Sequence, residues 1–181
     1  PNAFFDCLSF WDRQRGIAFS DSYEGEFTLM RTQDGGASWH RIDPDVVPDA
    51  RPGEGAFASS GTCLVTRPGG LAWFGPGAWG VGTRVISTKD FGDTWSEGST
   101  PIQSADGASG VFSLAFLDNE TGMAVGGKYT QPDSAYDDAA LTFDGGASWT
   151  LAARTNLGGA VSGVAYVPGA PTPSLVAVSA S

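Results

Sequence analysis

Thr32-Gln33-Asp34-Gly35-Gly36-Ala37-Ser38-Trp39 is the stretch that decides the fold, because the same octapeptide pattern occurs three times. It returns as Thr88-Lys89-Asp90-Phe91-Gly92-Asp93-Thr94-Trp95 and as Thr142-Phe143-Asp144-Gly145-Gly146-Ala147-Ser148-Trp149. The intervals between the three tryptophans are 56 and 54 residues. Self-similarity at a nearly constant period is the sequence signature of a repeat architecture.

Short strand-like runs surround each octapeptide. They are 27–31, 84–87 and 139–142 before the three copies, and 39–42, 95–97 and 149–152 after them. Further upstream, each unit has two more apolar runs joined by a polar turn, as in 7–11 and 16–19. The alternating pattern and the β-branched and aromatic content predict strands. Each unit is therefore predicted to hold four strands, A to D, with the octapeptide between C and D.

Four-stranded units repeated at this spacing are typical of the blades of a β-propeller. We predict an all-β chain that forms a single partial propeller domain over 1–181, with three four-stranded blades and half of a fourth. The predicted blades span about 5–43, 61–98 and 110–154, and the half blade about 160–181. A propeller removes its open sheet edges only by closing its ring. The chain is therefore expected to be a fragment of a larger ring, with the missing blades as its partners.

The octapeptide is predicted to be structural. An Asp carboxylate can accept hydrogen bonds from backbone N–H groups of its own turn, and a Gly supplies a positive φ. The Ser or Thr hydroxyl is expected to form a further hydrogen bond within the turn, and the Trp is expected to pack into the sheet interface. The structural residues are Asp34, Gly36, Trp39, Asp90, Gly92, Trp95, Asp144, Gly146 and Trp149.

The repeated pattern Ser/Thr-x-Asp-x-Gly-x-Ser/Thr-Trp resembles the Asp box, or BNR repeat, of a group of β-propellers that includes sialidases and sortilin-type receptors. Phe4-Phe5-Asp6-Cys7, the run 54–62 and the run 111–116 look most like bacterial photosystem II stability/assembly factor-like proteins. In Asp-box proteins the motif lies at the blade periphery. The resemblance therefore implies that the repeated carboxylates are not catalysts.

The composition excludes several classes of function. Asp and Glu number 20 against 10 Lys and Arg, a formal net charge of −10, which excludes nucleic-acid binding by phosphate neutralisation. No apolar run approaches the ~20 residues that span a bilayer, so no membrane insertion is predicted. His40 is the one histidine, which argues against a zinc site rich in His and against a catalytic triad. No glycine motif for a dinucleotide follows a strand and opens a helix, and no cofactor is predicted.

The strand count predicts where the loops gather. In an antiparallel blade the A–B and C–D connections lie at one end, and the B–C and D–A connections at the other. The B–C segments (20–26, 75–83 and 126–138) and the D–A segments (43–61 and 98–110) are the long ones. Loops carry function more often than the scaffold does, so this end, the long-loop face, is the predicted binding surface. The candidate binding residues are Tyr23, Glu24, Glu26, Arg51, Glu54, Trp79, Arg84, Lys128, Tyr129 and Tyr136.

Carboxylates beside aromatic rings suit sugar binding, and the alternative is that these are solvated loop residues. A two-carboxylate glycosidase needs two carboxyl groups about 5–9 Å apart, one with a raised pKa. Glu24 and Glu54 are the catalytic candidates for that chemistry. The segment 41–44 nearly matches the sialidase Arg-Ile-Pro motif, but Asp43 interrupts the motif. The segment also lies on a D strand, so we interpret the match as coincidence.

The predicted function is therefore a non-catalytic binding or assembly scaffold that recognises a protein or a glycan on the long-loop face. The alternative is a glycoside hydrolase, sialidase-like or of the two-carboxylate kind, with an active site partly outside this fragment. Few lysines, many Gly and Trp, and the family resemblance favour an exported bacterial protein, periplasmic or secreted.

Two smaller features leave alternatives open. Cys7 and Cys63 fall at equivalent positions on the A strands of neighbouring blades, where they are either a disulfide or two buried free thiols. Asp133, Asp137 and Asp138 are Ca²⁺ candidates because Ca²⁺ takes oxygen ligands. Their spacing is not that of an EF-hand, and a solvated acidic loop is the alternative.

Overall fold

The computed structural model describes residues 3–58, 60–78, 80, 82–104, 108–130, 138–153 and 159–179. Within these ranges the chain is built from antiparallel β-sheets that follow one another along the sequence. One short 3₁₀ turn, Pro44–Val46, interrupts the described strands. No described helix is long and apolar enough to cross a membrane.

Three of the sheets have four strands that belong to one predicted unit, and we call them blades 1, 2 and 3. Blade 1 is β1 (Phe5–Phe10), β2 (Gly16–Tyr23), β3 (Glu26–Thr32) and β4 (His40–Arg41). Blade 2 is β5 (Leu64–Arg67), β6 (Leu71–Phe74), β8 (Arg84–Thr88) and β9 (Ser96–Ser99). Blade 3 is β10 (Ser109–Phe116), β11 (Gly122–Lys128), β12 (Ala139–Thr142) and β13 (Thr150–Leu151). A two-stranded sheet, half blade 4, is β14 (Val161–Tyr166) and β15 (Leu175–Ser179).

This succession confirms the predicted all-β partial propeller, and one short strand departs from the simple pattern. β7 (Gly77–Ala78), within the B–C loop of blade 2, pairs with the inner strand β10 of blade 3. Gly77 lies opposite Gly110 in that pairing. A side chain on either residue would overlap its surroundings, since a Cβ on Gly110 would meet the backbone of Gly77. Glycine at both positions is therefore what allows the two blades to be joined here.

The B–C connection of blade 1 is shorter than predicted. β2 continues to Tyr23 and β3 begins at Glu26, so the two strands form a hairpin with a two-residue turn. Glu24 and Gly25 have φ values of 53° and 86°. Positive φ at both central residues matches the right-handed twist of the flanking strands. The segment predicted as a long loop is therefore a tight hairpin.

The apolar core consists of layers between successive sheets. Phe19 and Phe74 meet between blades 1 and 2, with ring centroids 4.4 Å apart. Trp73 stacks on Phe116 between blades 2 and 3 at 3.8 Å, and its Nε1 donates to the carbonyl oxygen of Gly145 at 2.7 Å. Burying one such large side chain stabilises the fold by about 1.5–3 kcal/mol. The indole thus ties blade 2 to the octapeptide turn of blade 3.

The three octapeptides fold into nearly identical turns. In the first, the backbone N–H of Ser38 donates to Asp34 Oδ1 at 2.9 Å, and the Ser38 hydroxyl donates to Asp34 Oδ2 at 2.6 Å. The hydroxyl of Thr32 accepts from the N–H of Gly36 at 2.9 Å, where φ is 92°. The other two turns repeat these bonds. The A–B turn lies against the octapeptide in each blade, as when Gly35 N–H donates to the Gln14 carbonyl oxygen.

Cys7 of β1 forms a disulfide with Cys63, the residue just before β5, and so links blade 1 to blade 2. Their Cα atoms are 6.1 Å apart, and both residues belong to the first core layer. Of the two alternatives left by the sequence, the structure shows the disulfide. It closes a loop across a sequence separation of 56 residues.

Candidate functional site

The structure divides the predicted site residues among three separate places. A groove on blade 1 is lined by Tyr23, Glu24 and Glu26. An ion-pair network contains Arg51, Glu54 and Arg84. Strand β11 ends at Lys128, and Tyr129 follows it. Trp79 and Tyr136 lie outside the described residues, as do Asp133 and Asp137. The predicted surface is therefore not one continuous patch among the residues that the structure describes.

Glu54 and Arg84 are buried against each other. Each residue is 2% exposed. Arg84 Nε donates to Glu54 Oε1 at 2.9 Å and Nη2 to Glu54 Oε2 at 2.5 Å, a bidentate pair. Arg84 also donates to Glu97 and to the carbonyl oxygen of Asp49. Burial alone would lower the pKa of Arg84, but the hydrogen bonds and charges of Glu54 and Glu97 outweigh it and raise the pKa.

This network anchors the D–A loop between blades 1 and 2. The N–H of Arg51 donates to Glu54 Oε2 at 2.7 Å, and the Arg51 guanidinium reaches Glu97 Oε1 at 3.0 Å. The loop is thus fastened to strands β8 and β9. Because both oxygens of Glu54 are engaged by Arg84, neither side chain is accessible to a ligand, in contrast to the prediction that they line a binding surface.

The anchored loop continues into an aromatic cluster made of Phe57, Phe112 and Tyr129. The ring centroid of Phe57 lies 4.6 Å from that of Phe112 and 6.0 Å from that of Tyr129, and both pairs are edge-to-face. Phe112 is buried, whereas Tyr129 is 59% exposed. A Cβ on Gly77 or Gly110 would overlap the Phe57 ring, so these two glycines make the room that the ring occupies.

The long loops hold one another in place beside this cluster. The N–H of Gly77 donates to the carbonyl oxygen of Gly55 at 2.6 Å, and the N–H of Ala56 donates to Asp21 Oδ1 at 2.8 Å. Phe57 therefore follows two backbone positions that are hydrogen-bonded to other loops or strands. The cluster presents a half-buried ring and an exposed phenol on a fixed support, a combination typical of protein interfaces.

Sequence reasoning named Tyr129 but missed Phe57 and Phe112. Phe112 lies in a β-strand and has the pattern of a core residue. Phe57 stands in a loop among small residues, 55–58, and that isolation is the signal by which it could have been found. Its contact with Gly77 and Gly110 joins segments far apart in the chain, which no local pattern encodes.

A groove on blade 1 lies beside three of the predicted residues. It has a volume of about 720 Å³ and is lined by Tyr23, Glu24, Glu26, Arg41 and several side chains of the same sheet face. Arg41 Nη2 lies 2.7 Å from Glu26 Oε2, and both side chains are nearly half exposed. A surface ion pair of this kind contributes about 0–1 kcal/mol. The groove lies on the side of blade 1 that faces away from blade 2.

Asp6 is a titratable group that sequence reasoning did not select. It lies at a bulge where the β1–β2 register shifts between Phe5 and Cys7. Its Oδ2 is buried and has no hydrogen-bond partner among the described residues. Burial, and then the charge of Asp21, raise the pKa of Asp6 from 3.8 to about 6. A carboxyl group with this pKa can hold a proton in mildly acidic solution.

The described residues contain no group of three or more His, Cys, Asp or Glu side chains placed to hold a metal ion. Asp138, one of the three Ca²⁺ candidates, is 4% exposed, and its backbone carbonyl oxygen accepts from the N–H of Gly126 at 2.9 Å. It therefore lies in the interior and not in a solvated acidic loop.

Successive four-stranded antiparallel sheets, packed face to face through apolar layers, define the chain as part of a β-propeller. Solved structures agree. A structure of YCF48 bound to D1 peptide matches 98% of this chain with a TM-score of 0.57 and 20% identity. A GH74 enzyme of Niastella koreensis matches 88% of the chain (TM-score 0.60, 13% identity), and a GH74 xyloglucanase of Xanthomonas campestris matches 90% (TM-score 0.60, 16% identity).

These matches confirm the predicted resemblance at the level of fold. The chain spans 47% of the YCF48 chain and 24% and 25% of the two GH74 enzymes. Comparison with protein-family models and with curated proteins gives no match.

Proposed function

We propose that this chain is a recognition scaffold that binds an extended segment of a partner protein on the long-loop face, at the aromatic cluster. The observation that carries the proposal is the exposed ring of Tyr129 held edge-to-face against Phe57. Phe57 is fixed by Gly77 and Gly110, and its loop is anchored by the buried Glu54–Arg84 pair. A surface ordered before binding loses less conformational entropy when the ligand arrives.

The likeness to YCF48 supports a protein segment as the ligand, because that propeller was solved with a peptide bound. The net charge of −10 adds a preference for a partner segment that carries Lys or Arg. Complementary charge acts mainly on the association rate, and the aromatic contact supplies the specificity. Binding is therefore expected to weaken with added salt without being lost.

The test is a binding screen of the whole chain against peptide arrays and glycan arrays. A peptide found in this way should lose about tenfold or more in affinity to the Tyr129→Ala variant, since truncating an interface anchor costs at least 1–2 kcal/mol. Phe143→Ala is the matched control, because Phe143 is an exposed aromatic residue of an octapeptide at the opposite end. Selective binding of glycans would favour a carbohydrate ligand. Equal loss in both variants would refute the assignment of the surface.

A glycoside hydrolase is the second candidate, and one observation favours it. Asp6 has a buried, unpartnered oxygen and a pKa raised to about 6, next to the carboxylate of Asp21. A carboxyl group that holds a proton in mildly acidic solution, with a second carboxyl group beside it, is the arrangement that general acid catalysis of glycoside cleavage uses. Hydrolysis of chromogenic glycosides that disappears in Asp6→Asn would establish this function. Activity that survives this substitution would remove Asp6 from it.

An exported location, periplasmic or secreted, is proposed as well. The Cys7–Cys63 disulfide supports it, because disulfides persist in oxidising compartments and are rare in the cytosol. The exported location can be tested by blocking free thiols in the native host, isolating the protein and analysing it by mass spectrometry. If Cys7 and Cys63 carry the blocking group, they were free thiols in the cell, and the proposed location is contradicted.

A further inference from the structure

Hydrogen bonds fasten the loop that carries Phe57 to strand β2 of blade 1. The N–H of Ala56 donates to Asp21 Oδ1 at 2.8 Å. The preceding residue, Gly55, lies close over the same carboxylate, since a Cβ on Gly55 would be 2.9 Å from Asp21 Oδ1. The carbonyl oxygen of Gly55 accepts in turn from the N–H of Gly77. The Asp21 carboxylate is therefore the group that holds the loop immediately before Phe57.

Asp6 lies beside this carboxylate on the neighbouring strand. It is the bulged residue of β1, between two residues that pair with Phe19 and Ser20 of β2, and Asp21 follows Ser20. The Oδ2 atom of Asp6 is buried and has no hydrogen-bond partner among the described residues. Burial removes water from an ionised carboxylate, and a second negative charge beside it raises its free energy further. A proton on Asp6 relieves both penalties.

Asp21 is the charged neighbour that acts on Asp6 within the described part of the chain. Strand β5, which also packs against β1, carries Arg67, whose guanidinium is hydrogen-bonded to blade 3. Tyr23 of β2 lines the groove on blade 1, and Glu54 of the loop is held in its buried ion pair. The other side chains of the groove beside Asp6 are uncharged. Burial, and then the charge of Asp21, accordingly raise the pKa of Asp6 from 3.8 to about 6.

We propose that Asp6 and Asp21 make the loop that carries Phe57 sensitive to pH: the loop is held tightly when Asp6 is protonated and is loosened when Asp6 is ionised. This inference rests on the proposed binding of a partner segment at the aromatic cluster. When Asp6 is neutral, Asp21 keeps its hydrogen bond with the N–H of Ala56. When both carboxylates are ionised they repel one another, and Asp21 relieves the repulsion by moving away from Ala56. Phe57 then loses part of the support that places it against Tyr129.

The direction of the effect on binding follows from linkage between the proton and the partner segment. A partner segment binds to the tightly held loop, which is the form that retains the proton on Asp6. Binding therefore raises the pKa of Asp6 further, and affinity falls as the pH rises through about 6. A difference of about 0.5–1 between the pKa of the free chain and that of the bound chain corresponds to about a three- to tenfold change in affinity. Lys and Arg side chains of a partner stay charged throughout this range.

The first measurement needs no ligand. Amide hydrogen exchange at Ala56, corrected for the intrinsic exchange rate, should show less protection at about pH 7.5 than at about pH 5. The side chain in Asp6→Asn does not ionise, so this variant should protect Ala56 equally at both pH values. The N–H of Gly145, which donates to the carbonyl oxygen of Glu120 in blade 3, is the reference amide. Equal protection of Ala56 at both pH values in the parent chain would overturn the proposal, as would a parallel loss at Gly145.

The second measurement is the affinity of a histidine-free peptide that the parent chain binds on the array. We expect binding to be about three- to tenfold weaker at about pH 7.5 than at about pH 5, and nearly independent of pH in Asp6→Asn. His40→Gln is the matched control, because it removes the one histidine, which is exposed on β4, and should keep the response of the parent chain. A response that persists in Asp6→Asn would overturn the proposed pH sensitivity. If no peptide binds at either pH, the proposed function fails, whereas hydrogen exchange at Ala56 still tests the pH sensitivity.

Discussion

The disulfide between Cys7 and Cys63 makes a quantitative prediction about stability. Replacing both residues with Ala removes a cross-link that closes a loop over a sequence separation of 56 residues. For a loop of this length, the chain-entropy relation gives a loss of about 14 cal/mol/K, or about 4 kcal/mol at 25 °C. Measured losses for native disulfides fall at about 2–5 kcal/mol, so we expect the free energy of unfolding to fall by a value in that range.

The assay is equilibrium unfolding in urea, followed by tryptophan fluorescence, for the oxidised chain, the double variant and each single variant. Each single variant breaks the same bond. The free energy of unfolding should therefore fall nearly as far in Cys7→Ala or Cys63→Ala as in the double variant, and not by half as much. The parent chain should also yield no free thiol to Ellman's reagent after denaturation without reductant. Two reactive thiols, or a loss below about 1 kcal/mol, would refute the reasoning.

Three further predictions concern carboxyl groups. Glu54→Gln should lower the free energy of unfolding by about 3–5 kcal/mol, because it leaves the buried Arg84 without its main counter-charge. Glu97 is a more exposed partner of Arg84, so Glu97→Gln should lower the free energy of unfolding by less in the same urea assay. Hydrogen bonds from Ser148 and Thr142 lower the pKa of Asp144 to about 2. The ionised Asp144 therefore stabilises the fold above about pH 4, and this contribution is lost as the pH falls towards 2. In a plot of melting temperature against pH, Asp144→Asn should flatten the decline on the acid side. Burial and the charge of Asp21 raise the pKa of Asp6 to about 6. The folded chain therefore holds this proton more tightly than the unfolded chain does, and the free energy of unfolding falls as the pH rises from about 4 to 6. Asp6→Asn should raise the melting temperature at pH 7 but not at pH 3.

The fold could be predicted because its signals are local. The octapeptide contains all the partners of its own turn, as the bonds of Asp34 to Ser38 show, and its recurrence sets the blade period. The alternation within each run then predicts strands, and the strand order follows from short connections. The hairpin at Glu24 and Gly25 was the exception, since a polar run with Gly is compatible with either a loop or a tight turn.

The candidate site could be predicted only in part because its contacts are long-range. Glu54 of the D–A loop meets Arg84 of blade 2, and nothing in the sequence near Glu54 distinguishes a solvated carboxylate from a buried one. Phe57 reaches Tyr129 only through the packing of its loop on Gly77. The sequence therefore indicates which face carries the loops, whereas which side chains stay exposed depends on the tertiary structure.

The short strand β7 has a consequence for cooperativity. In a repeat architecture each unit contacts only its neighbours, so unfolding can in principle proceed unit by unit. β7 belongs to blade 2 in the sequence but to the sheet of blade 3 in its hydrogen bonds, which makes the opening of either blade break backbone bonds of the other. Blades 2 and 3 should therefore exchange their amide hydrogens as a single unit.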